Sequence, residues 1–133
     1  MHLIDANVFL EAQLSQKNSD EAAEYLRQVS KGKHRARVTF HHVDAVAIRM
    51  ETYGSSREKI SSFYRSLRDY RGLELVRLDL SQRSEACKIS DLDFDDGLVV
   101  TAFRELDADL LVSYESDFDD VDGIKRKEPP EVV

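Results

Sequence analysis

Acidic side chains fall at four separated points of this 133-residue chain: Asp5, Asp44, the pair Asp95–Asp96, and Glu115 with Asp117. Carboxylates brought together repel one another unless a cation lies between them. Mg²⁺ or Mn²⁺ suits such a set, because a hard dication takes carboxylate and water oxygens and keeps positions open for phosphate. The chemistry that follows is phosphodiester hydrolysis, with the ion polarising the phosphoryl group and acidifying a bound water. Each acid also has a plainer use. Asp5 can end a strand as a turn former, and Asp44, Asp95 and Asp96 can complement the macrodipole of a helix start. Asp93 reads as a helix N-cap, while Asp119, Asp120 and Asp122 read as solvated loop. Glu51, two turns beyond Asp44 on the same helical face, competes for its role. Only a fold could gather these segments.

The elements that must do so are legible from periodicity. His2-Leu3-Ile4 is a short apolar strand that stops at Asp5, followed by a helical turn over residues 7–14. Asp20-Glu21 suits a helix start, Ala23, Leu26 and Val29 keep helical spacing, and Gly32 ends the run. Residues 36–39 form a second strand, and a helix over 42–53 stops at Gly54. Ser55-Ser56 offers a cap for the clearest helix, where Ile60, Phe63, Tyr64, Leu67 and Tyr70 share one face. Residues 73–76 form a third strand, with Ser81 expected to cap a helix reaching Ile89. Asp93 caps a helix carrying Leu98, Val99, Ala102, Phe103 and Leu106, and residues 110–112 form a fourth strand. An acidic loop over 113–122 and a fifth, edge strand over 124–126 precede Pro129-Pro130. Short apolar strands separated by helices imply a buried, mostly parallel sheet in a three-layer α/β/α sandwich. Ligands bind such sheets outside the carboxyl ends of the strands, which is where the acids fall.

Composition removes other classes. With 41% hydrophobic and 34% charged residues the chain reads as one globular domain over residues 1–133. No apolar run approaches the roughly 20 residues of a membrane span. The opening MHLIDANVFLEAQ lacks a basic n-region, so it reads as no secretory signal and a cytoplasmic location is expected. Cys87 is single, which excludes an internal disulfide and a cysteine-rich zinc site, and it is expected in the core. His41-His42 could ligate a metal, but the flanks offer no second His or Cys at ligand spacing, so a structural or surface role is expected. Ser113 could position a metal-bound water or cap a turn. No Gly-rich phosphate loop and no G-x-S-x-G is present, which removes kinase and serine-hydrolase readings. The net charge of −7 hides an asymmetry: residues 25–77 hold twelve Lys/Arg against five Asp/Glu, the rest seven against 21. A basic middle between acidic flanks fits a polyanion-binding face beside a carboxylate site.

Three stretches together resemble the PIN domain family, in particular VapC-type toxin ribonucleases of VapBC toxin–antitoxin pairs. LIDANVFLEA resembles the family's opening strand, with Asp5 at the first acidic position and Asn7 at the polar position after it. VTFHHVDAVAIRMETYG resembles the second strand and the helix carrying the second acid, usually Glu, where Asp44 falls. LDFDDGLVVTAFRELDADLLVSYESDF is the most specific match, with Asp96 at the third acid, Gly97 where Ala is usual, and Ser113 in place of Thr. Glu115 and Asp117 share the last acidic positions: Glu115 is the better match in position, and Asp117 is favoured for its aspartate identity.

The resemblance implies a Mg²⁺- or Mn²⁺-dependent endoribonuclease acting on RNA, in which Asp5 and Asp96 hold the first metal and Asp44 with Asp117 or Glu115 completes the site. It implies a homodimer, and an antitoxin whose C-terminal segment blocks the cleft. The basic stretch RQVSKGKHRAR, residues 27–37, is then a candidate RNA-backbone contact. Two related readings are a PIN nuclease of RNA maturation or decay without an antitoxin, and an inactive binding module. Phosphotransfer readings lack parts, since position 7 is Asn where a dehalogenase-like pattern wants Asp, and residues 113–118 hold no Lys for a receiver domain.

Overall fold

The computed structural model describes residues 1–133. Strands β1 (His2–Ile4), β2 (Ala36–Thr39), β3 (Leu73–Val76), β4 (Leu110–Val112) and β5 (Arg126–Lys127) pair in the order β3-β2-β1-β4-β5. Every pairing is parallel. Parallel neighbours need crossover connections. Helices α1 (Ala6–Gln13) and α2 (Ser19–Ser30) join β1 to β2, α3 (Phe40–Thr52) and α4 (Arg57–Leu67) join β2 to β3, and α5 (Leu80–Ala86) and α6 (Phe94–Glu105) join β3 to β4.

Alternation along the strands divides the core. Ile4, Val38 and Val112 face Val8, Phe9, Tyr25, Val43 and Phe63 of the first four helices. Leu3 and Leu111 face Leu98, Val99 and Phe103 on the other side. Successive strand side chains point to opposite faces, so the sheet lies between two helical layers, the α/β/α sandwich expected from the pattern. Leu111 is fully buried at the centre, and its truncation to Ala is expected to cost about 2–5 kcal/mol. No helix is long and apolar enough to cross a membrane.

The clearest departures from expectation are in α3, α5, β5 and Cys87. Helix α3 begins at Phe40 because Thr39, the last residue of β2, caps it by accepting from His42 N. Helix α5 begins at Leu80, since Asp79 and Gln82 form a reciprocal capping box that pre-empts Ser81, and it ends at Ala86, short of Ile89. Strand β5 is Arg126–Lys127 rather than 124–126, registered on Leu111 and Val112. Cys87 is exposed, not in the core, because the shortened α5 leaves it as the C-cap.

Candidate active site

Parallel pairing of β1 with β4 sets Asp5 beside Ser113, each the first residue beyond its strand; Asp5 N donates to Val112 O at 3.0 Å. Asp5 Oδ1 caps α1 by accepting from Ala6 N at 2.7 Å. Its Oδ2 accepts from Ser113 Oγ at 2.7 Å and from Asn7 Nδ2 at 3.3 Å. Ser113 Oγ in turn accepts from Glu115 N at 3.0 Å, and Asn7 Oδ1 from Tyr114 N at 3.2 Å. The chain after β4 is thereby tied to the start of α1. Asp5 is 7% exposed. Burial pushes its carboxyl up to about 6 against the hydrogen bonds from Ser113 and Ala6, with Asp95 and Glu115 adding repulsion.

Asp93 caps α6 and accepts from Asp96 N at 2.8 Å, which places Asp95 and Asp96 in the first turn. Asp96 is pushed up to about 7, by burial first and then by Asp93, Asp5, Asp95 and Glu115. Gly97 fixes how closely this turn approaches: a Cβ there would stand 2.6 Å from Ala86 O, so only glycine lets α6 lie against the end of α5. The departure from Ala noted at this position therefore sets the seat of Asp96.

Asp5, Asp96 and Glu115 thus act on one another. Asp44 and Asp117 lie elsewhere. Asp44 Oδ1 accepts from Tyr64 Oη at 2.6 Å in a groove between α3 and α4 that Glu51 also lines. Glu51 pairs with Arg57 Nε at 2.9 Å. Asp117 sits in the 3₁₀ turn Ser116–Asp120 and lines a different groove with Lys88, Asp91 and Arg104, whereas Glu115 caps that turn. The basic stretch 27–37 ends at Arg35 and Arg37, which line a groove with Met1, Arg71 and Asp107 at the amino ends of the strands, the far edge from the acids. The acidic edge carries Arg77, just after β3, with its guanidinium 4.5 Å from the Phe40 ring centroid, and Arg126 of β5, whose Nη1 donates to Ser113 O at 2.9 Å.

Where Asp44 was expected, α3 presents His42. With Thr39 as N-cap, His42 is the third helical residue, is 2% exposed, and sets its Nδ1 against Thr39 Oγ1. Its Nε2 has no hydrogen-bond partner and lies 3.6 Å from Asp95 Oδ1, beyond hydrogen-bonding range. Burial holds the ring at about 4, overriding Asp95, so this contact is no ion pair at neutral pH. The Nδ1–H tautomer, donating to Thr39, leaves Nε2 as a bare lone pair. The other tautomer would strand a buried N–H at a cost of about 1–3 kcal/mol. His41 Nε2 bonds Asp95 Oδ1 at 2.8 Å. Local spacing gives no sign of this trio, because Asp95 comes from another helix. The available signals are the adjacent His41-His42 pair, for which a structural or surface role is expected, and Thr39 three residues before His42, an N-cap spacing that starts the helix at a strand's end.

The donor set fits a hard divalent cation: a buried carboxylate beside Asp96, which burial first and neighbouring carboxylates second push up, and Glu115. The PIN domain family model matches residues 2–124. Among solved structures, VapC20 of Mycobacterium tuberculosis, a sarcin–ricin-loop-cleaving toxin, superposes with TM-score 0.71 at 10% identity over 90% of this chain and 93% of that one. A toxin–antitoxin complex from Klebsiella pneumoniae gives TM-score 0.71 at 13% identity, covering 97% and 98%. VapBC2 of Rickettsia felis, bound to a DNA fragment from its promoter, gives 0.66 at 12% identity, covering 96% and 97%. No curated protein matches the sequence. A strand order, an acidic edge and a family model that spans nearly all of the chain agree: this protein belongs to the PIN domain family.

Proposed function

We propose that the protein is a Mg²⁺- or Mn²⁺-dependent endoribonuclease and the toxin of a toxin–antitoxin pair. The observation that carries the reading is the buried Asp5 carboxylate just beyond β1, fixed by Ser113 just beyond β4 and repelled by Glu115, with its own charge acting on Asp96. In this reading Asp5, Asp96 and Glu115 would hold the ion, and Asp44 and Asp117, which line other grooves, would stand outside the set. A dication held there supplies Lewis-acid polarisation of the phosphodiester and an acidified water. The chain's own part is positioning. Ser113 and Asn7 fix the Asp5 carboxylate, Asp93 seats Asp96, and Arg77 offers a phosphate contact on the same edge.

The toxin reading draws on structural neighbours that are toxins or toxin–antitoxin complexes. By that analogy the partner is an antitoxin, and the family resemblance adds a second copy of this chain. The test is cleavage of a structured RNA in Mg²⁺, Mn²⁺ or EDTA by the wild type and by Asp96→Asn. Cleavage that needs both the ion and Asp96 supports the reading. Cleavage by Asp96→Asn at the wild-type rate would refute the site, and ion binding without cleavage of any RNA would favour a binding module.

A further inference from the structure

We infer that His41, His42 and Asp95 form a site for a borderline transition-metal dication of the Zn²⁺ class, at the rim of the carboxylate cleft. Their three ligand atoms lie within 4.8 Å of one another. His41 Nε2 and His42 Nε2 stand 2.8 and 3.6 Å from the same Asp95 oxygen. Ligands about 2.0–2.2 Å from a tetrahedral ion lie roughly 3.3–3.6 Å apart, so small side-chain rotations suffice.

The second observation is independent of that clustering. His42 Nε2 is a buried nitrogen with no partner in the protein, aimed at Asp95, and the ring is held by Thr39 at its other nitrogen. An imidazole whose far nitrogen is fixed by an oxygen is the usual arrangement of a metal-bound histidine. An ion at the centre of the trio would take this lone pair. His41 would keep its proton by moving it from Nε2 to Nδ1, and Asp95 would exchange one hydrogen bond for a metal bond. Three protein ligands leave at least one position open to water or a phosphate oxygen. Two imidazoles select Zn²⁺, Co²⁺ or Ni²⁺ over Mg²⁺, which prefers oxygen. The site does not depend on the ribonuclease reading, because binding here is measured without RNA.

The test is titration of the metal-free protein with Co²⁺, read by visible d–d absorption, and with Zn²⁺, read by calorimetry in excess Mg²⁺. The wild type is expected to bind with nitrogen-ligand bands that Mg²⁺ does not remove. His41→Gln and Asp95→Asn change exposed residues, so folding is not at risk. Each is expected to weaken Zn²⁺ binding more than the roughly 10–100-fold lost when an outer-shell partner is removed. Asp5→Asn is expected to leave the bands in place. Bands and affinity unchanged in both His41→Gln and Asp95→Asn, or bands lost only in Asp5→Asn, would overturn the site, as would no Zn²⁺ binding in Mg²⁺.

Discussion

Ser113 Oγ donates a 2.7 Å hydrogen bond to Asp5 Oδ2, joining two residues 108 positions apart at the ends of adjacent strands. The same oxygen accepts from Glu115 N and Asn7 Nδ2, so one buried hydroxyl orders two of the three acids. Ser113→Ala removes a donor from a buried carboxylate and the acceptor of Glu115 N. The expected outcome is a loss of about 1–3 kcal/mol in urea unfolding and a roughly 10–100-fold loss in Mn²⁺ affinity by calorimetry. Ser113→Thr keeps the hydroxyl and is expected to retain most of both.

Asp96→Asn is expected to abolish RNA cleavage and yet stabilise the metal-free protein. Asp96 is pushed from the ordinary carboxylate range to about 7. The folded state therefore favours its protonated form, and the stability this confers is present below about pH 4 and lost as pH rises towards 7. Because the side chain is partly solvated, the gain at pH 8 in EDTA is expected to be about 1–2 kcal/mol rather than the full linkage value. Urea unfolding of both proteins checks it: the difference should shrink at pH 4, and shrink again when Mn²⁺ saturates the wild type. Equal stability of the two proteins at pH 8 in EDTA would contradict the cost of burying this charge beside other carboxylates.

An exposed helical Gly→Ala change normally gains about 0.5–1 kcal/mol. Gly97→Ala is expected to do the opposite, because its Cβ would meet the Ala86 carbonyl oxygen at 2.6 Å and backbone must move. A loss of about 1–3 kcal/mol follows from overpacking. The shift of α6 carries Asp96 with it, so Mn²⁺ affinity should fall too. Thermal unfolding and calorimetry read the two effects, and a stabilised Gly97→Ala would show that α5 yields freely.

The far edge of the sheet carries a separate pH effect. His2 Nδ1 lies 2.8 Å from Tyr25 Oη, and its ring packs against His34. Burial first, then His34 and the N-terminal ammonium, push His2 down to about 4. The unfolded chain binds this proton first, so the contribution is whole above about pH 6.5 and is lost as pH falls towards 4. His2 is only half-buried, so about 1–2 kcal/mol is expected after solvent screening. His2→Gln should flatten the acid side of the stability profile measured in urea between pH 7 and 4. A parallel profile would refute it.

What the sequence made legible follows from chain direction. Asp5 and Asp96 sit where a strand ends or a capped helix begins, and local pattern locates both. The second acid turns on where α3 starts. A start at His42 would put Asp44 in the first turn, but Thr39 caps the helix two residues earlier. Two residues are about 200° of helix, which turns Asp44 towards Tyr64 and brings His42 to the cleft. Glu115 and Asp117 likewise differ by position in one 3₁₀ turn: Glu115 is its cap and Asp117 lies inside it. Aspartate identity favours Asp117, and position next to the strand favours Glu115. The His41-His42 pair is visible in the sequence, but its partner Asp95 is not, because the trio joins two crossover helices and spacing rules see one element at a time.

The same geometry separates two basic regions that charge counting treats alike. Arg77 follows β3 on the acidic edge, whereas Arg35 and Arg37 flank the amino end of β2. An RNA strand crossing the acidic edge from Asp5 towards β3 passes the first and not the second. Arg77→Ala is expected to weaken binding of RNA to the Asp96→Asn protein and to lower the slope of log affinity against log salt by about 1. Arg35→Ala should leave both near the wild-type value. Fluorescence anisotropy with a labelled structured RNA across a salt series measures them. An effect of Arg35→Ala equal to that of Arg77→Ala would mean that RNA wraps the sheet rather than entering from the acidic edge, and would move the substrate path accordingly.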